Sequence, residues 1–234
     1  MARFLLIHGS CHGAWCWRDT IAALETQGHE AIAIDLPSHG DDPTPVGDVT
    51  LPLYAQAIVD ALDGRPAHIV GHSMAGYPIT AAGLLAPDLV ERLVYLCAYL
   101  PHVGLGLADM RRAGPSQPLA NAIIVAPDRA SFTIDPNKAG ACFYHDVVPK
   151  TAAWAISKLC PQAILPQETA LDALPDLPRS YIRCMHDRTI PPAYQVEMSA
   201  GFDTADIYTM ERSHSPFLSD PEGLATILTK IANS

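Results

Sequence analysis

The stretch Val70-Gly71-His72-Ser73-Met74-Ala75-Gly76 sits between a short apolar run and a helical pattern. A serine on such a strand-to-helix turn is pushed into the open, where its hydroxyl can act as a nucleophile. The turn is tight, so its neighbours must be small. Gly71 and Ala75 meet that need, Ala75 standing where the G-x-S-x-G pattern has its second glycine. A serine hydroxyl needs a base to take its proton. Among the ten histidines, His214 lies in Arg212-Ser213-His214-Ser215-Pro216, just past the last strand pattern. Loops at the carboxyl ends of parallel strands are where such sheets carry their sites. His29 and His68 fall at strand starts, on the opposite edge. His102 and His145 fall in an irregular middle segment, and His8, His12 and His72 in turns that would shape the site.

The imidazole in turn needs a carboxylate that holds its tautomer and stabilises its cation. Asp187, in Met185-His186-Asp187-Arg188-Thr189, follows a strand pattern and is the candidate. The other place for an acid, after the fourth strand, reads Cys97-Ala98-Tyr99-Leu100 and offers no carboxylate; Asp206 and Asp220 are next in line. The chain order is thus Ser73, Asp187, His214. A tetrahedral oxyanion also needs preorganised donors. The backbone N–H of Met74 is one. The second is the N–H of Ser10, in the loop Gly9-Ser10-Cys11-His12-Gly13 opposite the serine. His and Asp residues show no ligand spacing such as H-E-x-x-H, and this chemistry calls for no metal and no cofactor.

These residues need a frame. Apolar runs at 4–7, 31–34, 68–70 and 93–96 alternate with helical patterns at 15–27, 51–62 and 74–85. Near-continuous apolar strands between helices predict a mostly parallel sheet covered on both faces, an α/β class. The alternation breaks from Pro101 to Pro178, where Gly and Pro are frequent and only 150–159 reads as a clear helix. That length is too great for a loop, so residues 101–178 are expected to form a lid inserted in a core of 1–100 and 179–234. The pattern resumes with strands at 180–184 and 207–210 and helices at 193–200 and 220–231.

Composition narrows the partners. The net charge of −10 disfavours nucleic acid and anionic membrane surfaces, and no apolar stretch approaches the ~18–20 residues of a membrane span. A small-molecule substrate is the expected partner. The six cysteines include no C-x-x-C, and the four apolar residues after Arg3 are too few for a secretory core. Reduced thiols and a cytoplasmic location are expected.

Leu6-Ile7-His8-Gly9-Ser10-Cys11-His12-Gly13-Ala14-Trp15-Cys16-Trp17 closely resembles the opening of the plant methylesterase and hydroxynitrile lyase family and its bacterial relatives. So do Asp35-Leu36-Pro37-Ser38-His39-Gly40, Gly71-His72-Ser73-Met74, and Ile190-Pro191-Pro192. Bacterial members include esterases acting on aryl, alkyl and pyrethroid-type esters. The resemblance implies an α/β-hydrolase fold with a small lid, the same serine, acid and histidine, and a homodimer formed through the lid. Lyase members carry threonine at the position of Gly9 and lysine at that of Ser215; this chain has neither, which favours ester cleavage. The expected activity is hydrolysis of small to medium hydrophobic carboxylic esters through an acyl-enzyme. Carbon–carbon lysis and non-catalytic ligand binding on the same fold are the alternatives. Gly9 and His12 are candidate substrate contacts. Phe132, Phe143, Tyr144 and Trp154 could line an acyl pocket or form the lid's own core.

Overall fold

Phe4, Leu5, Leu6 and Ile7 are all fully buried, which a strand achieves only when both of its faces are covered. The computed structural model describes residues 1–234. Its main sheet is built from β1 (Arg3–Ile7), β2 (Glu30–Ile34), β3 (Ala67–His72), β4 (Val90–Leu96), β8 (Arg179–Cys184) and β9 (Ile207–Met210). The order is β2-β1-β3-β4-β8-β9, and every neighbouring pair is parallel.

Helices cover both faces. On one lie α2 (Leu51–Leu62), α3 (Gly76–Leu85) and α8 (Pro192–Met198); on the other lie α1 (Arg18–Thr26) and α10 (Pro221–Ala232), preceded by the one-turn α9 (Pro216–Ser219). Alternation along each strand sends Leu5, Ile69 and Leu93 to the first face and Phe4, Leu6 and Val70 to the second. The helix ends follow local chemistry. Thr50 caps α2 by accepting from Leu53 N–H, and Asp63 ends it in the left-handed region. Asp220 caps α10 by accepting from Gly223 N–H.

The segment between β4 and β8 is more regular than its Gly and Pro content suggested. It holds α4 (Leu107–Ala113), α5 (Pro136–Phe143), α6 (Pro149–Lys158) and the short α7 (Leu165–Glu168). An antiparallel sheet of β5 (Ile123–Val125), β6 (Ser131–Ile134) and β7 (Gln162–Ala163) joins them. These strands are two to four residues long, too short to print a period-2 pattern. Phe132, Phe143, Tyr144 and Ala155 form a small core of their own, which also takes in Cys11 from the loop after β1.

Candidate active site

Ser73 follows β3 with φ of +56°, in the left-handed region. Strain of this kind is held only where the surroundings dictate it. Two glycines do so. A Cβ on Gly71 would lie 2.8 Å from Ile79 Cδ1 and 2.9 Å from the Ala75 carbonyl. A Cβ on Gly76 would lie 2.0 Å from the Tyr99 carbonyl. The chain leaving β4 crosses here, and Tyr99 N–H donates to the Ser73 carbonyl at 3.0 Å. The sequence pattern draws the eye to position 75, but Gly76 is the residue that the packing cannot replace.

Ser73 Oγ lies 3.0 Å from His214 Nε2, and His214 Nδ1 lies 2.7 Å from Asp187 Oδ2. A carboxylate only accepts, so Nδ1 carries the proton and Nε2 is free to accept from the serine. Asp187 is buried and well satisfied. Its Oδ1 accepts from the N–H groups of Thr189 (2.6 Å) and Ile190 (2.9 Å), and its Oδ2 accepts from Gln195 Nε2 at 3.0 Å. The fallback acids lie elsewhere: Asp206 pairs with Arg92, and Asp220 caps α10 and pairs with Arg212.

The His214 backbone is pinned as firmly as its ring. Its carbonyl accepts from His72 Nε2 at 2.8 Å and from Cys97 Sγ at 3.5 Å. Cys97 thus stands where the fold's other acid position would be and buttresses the histidine loop. Burial holds the His72 imidazole well below its usual range, so it stays neutral with Nδ1 unprotonated. His72, Cys97 and His214 bring potential metal ligands within 4.8 Å of one another. All but His72 Nδ1 are already committed to the bonds just described.

Ser10, Met74, Ser73 and His214 line one cavity of about 30 Å³. Ser10 N–H takes part in none of the backbone bonds that tie the loops. His12, Phe132 and Phe143 also line the cavity. Gly9 does not. It lies beneath the serine turn, where a Cβ would meet His72 Nδ1 at 2.7 Å and Ser73 Cβ at 2.9 Å. Trp154 is absent from the lining as well. Its position on α6 turns it toward Trp15 (ring centroids 5.2 Å apart) and places Arg18 over its ring. Among the aromatic candidates, Phe132 and Phe143 serve cavity and core together, and Tyr144 belongs to the core.

Several contacts that spacing did not suggest come from residues 142–146 at the end of α5. The Cys142 carbonyl accepts from Thr189 Oγ1 at 3.0 Å. Phe143 stacks on the His214 ring with centroids 5.7 Å apart. Tyr144 Oη lies 2.7 Å from His12 Nε2. Asp146 accepts from both the N–H and the hydroxyl of Ser213. The loop after β1 is held from this side too: Gln167 Nε2 donates to Ser10 Oγ at 2.9 Å and Cys160 N–H to the Cys11 carbonyl at 3.0 Å.

This fold belongs to a known class. Residues 4–227 match the model of the alpha/beta hydrolase family, and the chain belongs to that family. Its relatives include Esterase PIR7B of Oryza sativa subsp. japonica, 29% identical over 257 residues covering 98% of this chain and 95% of that protein. Methylesterase 17 of Arabidopsis thaliana is 29% identical over 252 residues, covering 99% of this chain and 91% of that one. Among solved structures, a pyrethroid hydrolase from Sphingobium faniae JZ-2 superposes with a TM-score of 0.89 at 24% identity, covering 100% of this chain and 98% of its own. Polyneuridine aldehyde esterase does so with 0.87 at 20% identity, covering 99% of each. Those two likenesses are of fold.

Proposed function

We propose that the protein is a serine carboxylesterase that hydrolyses small to medium hydrophobic carboxylic esters through an acyl-enzyme. The observation that carries this reading is the continuous chain Ser73 Oγ–His214 Nε2 and His214 Nδ1–Asp187 Oδ2, at 3.0 and 2.7 Å. Relatives named esterase and methylesterase across nearly the whole chain support it.

In the first half-reaction His214 takes the Ser73 proton as Oγ bonds to the ester carbonyl carbon. The oxyanion forms against the N–H groups of Ser10 and Met74. Asp187 steadies the imidazolium, which then protonates the leaving alkoxide as the C–O bond breaks. In the second half, His214 deprotonates a water that attacks the acyl carbon, and Ser73 Oγ leaves with the proton. No step needs a metal or a cofactor. Leu107, Phe132, Phe143 and Gln167, all from residues 101–178, wall the cavity, so a shift of that segment would set how large a substrate enters. That segment acts as the lid, as such segments do in many enzymes.

The same reading assigns the protein to the cytoplasm and to a homodimer formed through the lid. All six cysteines are unpaired, which supports a reducing compartment. No helix is long and apolar enough to cross a membrane.

The test is the time course with 4-nitrophenyl acetate. Wild-type protein should release a burst of 4-nitrophenol equal to the enzyme concentration or a steady turnover above it, and Ser73→Ala neither. Equal release by the two proteins would remove this function.

A further inference from the structure

Arg111 lines the same cavity as Ser73 and His214. It sits on α4 one turn after Leu107, and residues four apart share a helix face; Leu107 lines the cavity too. None of the chain's 25 acidic residues lines it, and Arg111 is its only lysine or arginine. Two of the histidines that line it stay neutral: burial holds His12 down at about 4 and His72 well below its usual range.

Six of the ten other arginines in this acidic protein, Arg3, Arg18, Arg65, Arg92, Arg112 and Arg212, pair with a carboxylate; Arg129, Arg179, Arg183 and Arg188 do not, and they lie outside the cavity. Arg111 has no such pair, because Asp109, the acid of its own helix, is taken by Arg112 at 2.7 Å. A half-buried guanidinium with no anion gives up part of its hydration and receives nothing in return. Its planar fork of donors matches a carboxylate in two parallel hydrogen bonds.

Resting on the esterase reading but departing from its wholly hydrophobic substrates, we infer that Arg111 is a specificity residue that receives a carboxylate on the substrate, so that the preferred substrates are esters carrying a second, anionic group. The ester carbonyl then lies over Ser73 while the anion lies toward α4. Uncharged esters of the same size lack this contact and bind less well.

Two matched pairs test this. In the first the charge is on the acyl side: the 4-nitrophenyl monoester of adipic acid, whose chain disfavours attack by its own carboxylate, against 4-nitrophenyl hexanoate. In the second it is on the alcohol side: 4-acetoxybenzoate against 4-methylphenyl acetate. Each kcat/KM is divided by the rate with hydroxide, which removes intrinsic reactivity. Wild-type protein should favour the anionic member of at least one pair by about tenfold, the scale of one charge-assisted contact. Arg111→Gln should erase that preference while leaving the uncharged ester within about twofold. Absence of preference in both pairs, or its survival in Arg111→Gln, would overturn the inference and leave the esterase reading standing. Wild-type protein that cleaves no member of either pair overturns both. Should Arg111→Gln fail on uncharged esters as well, salt decides: the wild-type preference must shrink between 0.02 and 0.5 M NaCl, and one that salt leaves unmoved counts against the inference.

Discussion

Tyr144 Oη donates a hydrogen bond to His12 Nε2 across 2.7 Å, joining residues 101–178 to the loop that follows β1. The direction follows from the other ring nitrogen. His12 Nδ1–H donates to the Ser10 carbonyl at 2.8 Å, so Nε2 is the acceptor. The phenol therefore fixes the ring, and the ring fixes the peptide on one side of the proposed oxyanion donor. Tyr144→Phe keeps the packing and removes the bond. It should lower kcat on 4-nitrophenyl acetate by about tenfold with KM changed less than about twofold, because misplaced donors hurt the transition state more than the ground state. An unchanged kcat would show that the loop holds its shape without this bond.

Asp187→Asn should cost on the order of 10²–10⁴-fold in kcat. The amide keeps the size of the carboxylate but places no negative charge beside the imidazolium. Two backbone donors face Oδ1 and Gln195 faces Oδ2, so an Asn amide nitrogen would meet a donor on either side. Steady-state kinetics with circular dichroism as a folding control checks this. A fully active variant would move the acid elsewhere.

Acid should unfold the protein earlier than its carboxylates alone require. Burial holds His12 down at about 4, against roughly 6.5 in an unfolded chain. Between those values the unfolded chain binds a proton that the folded one refuses. The stability is therefore full above pH 6.5 and drains away as pH falls toward 4. His12 alone should remove about 2 kcal/mol between pH 7.5 and 5. Burial shifts His8 and His72 in the same direction. Urea unfolding at pH 7.5 and 5.0 measures the effect, and a midpoint equal at both would contradict it.

Cyanohydrin cleavage should be absent. Wild-type protein should release no cyanide from mandelonitrile above background, since no lysine follows His214 to receive the departing anion. Ser215 is fully buried with its hydroxyl unpartnered. Threonine at position 9 would collide with His72 and Ser73, so Gly9→Thr with Ser215→Lys would need His72 to move before lyase activity could arise. Sustained cyanide release by the unmodified protein would assign it to another class.

What could be read from the residues follows how local the causes are. The alternation of the first 100 residues is local, and α2 at Leu51–Leu62 and β9 at Ile207–Met210 lie where the periodicity put them. Ser73, Asp187 and His214 each announce themselves by the strand they follow. Residues 101–178 are opaque because their strands are too short to show a period and their aromatics suit a pocket or a core equally well. Trp154 illustrates this: only the packing of α6 against Trp15 decides that it faces away from the cavity. Tyr144 meets His12 across 132 positions, a distance at which no spacing rule operates. Gly76 was hidden for the same reason, since its constraint is the Tyr99 carbonyl arriving from β4.

The central claim is that Ser73 is the nucleophile and His214 its base. Labelling with an organophosphate ester such as paraoxon, followed by peptide mass mapping, tests it most directly. The account predicts one diethylphosphoryl group per chain, located on Ser73, with activity lost in step with labelling and with labelling slowed on the order of 10³-fold or more in His214→Ala. A label on another residue, or full ester hydrolysis by protein stoichiometrically labelled at Ser73, would contradict it.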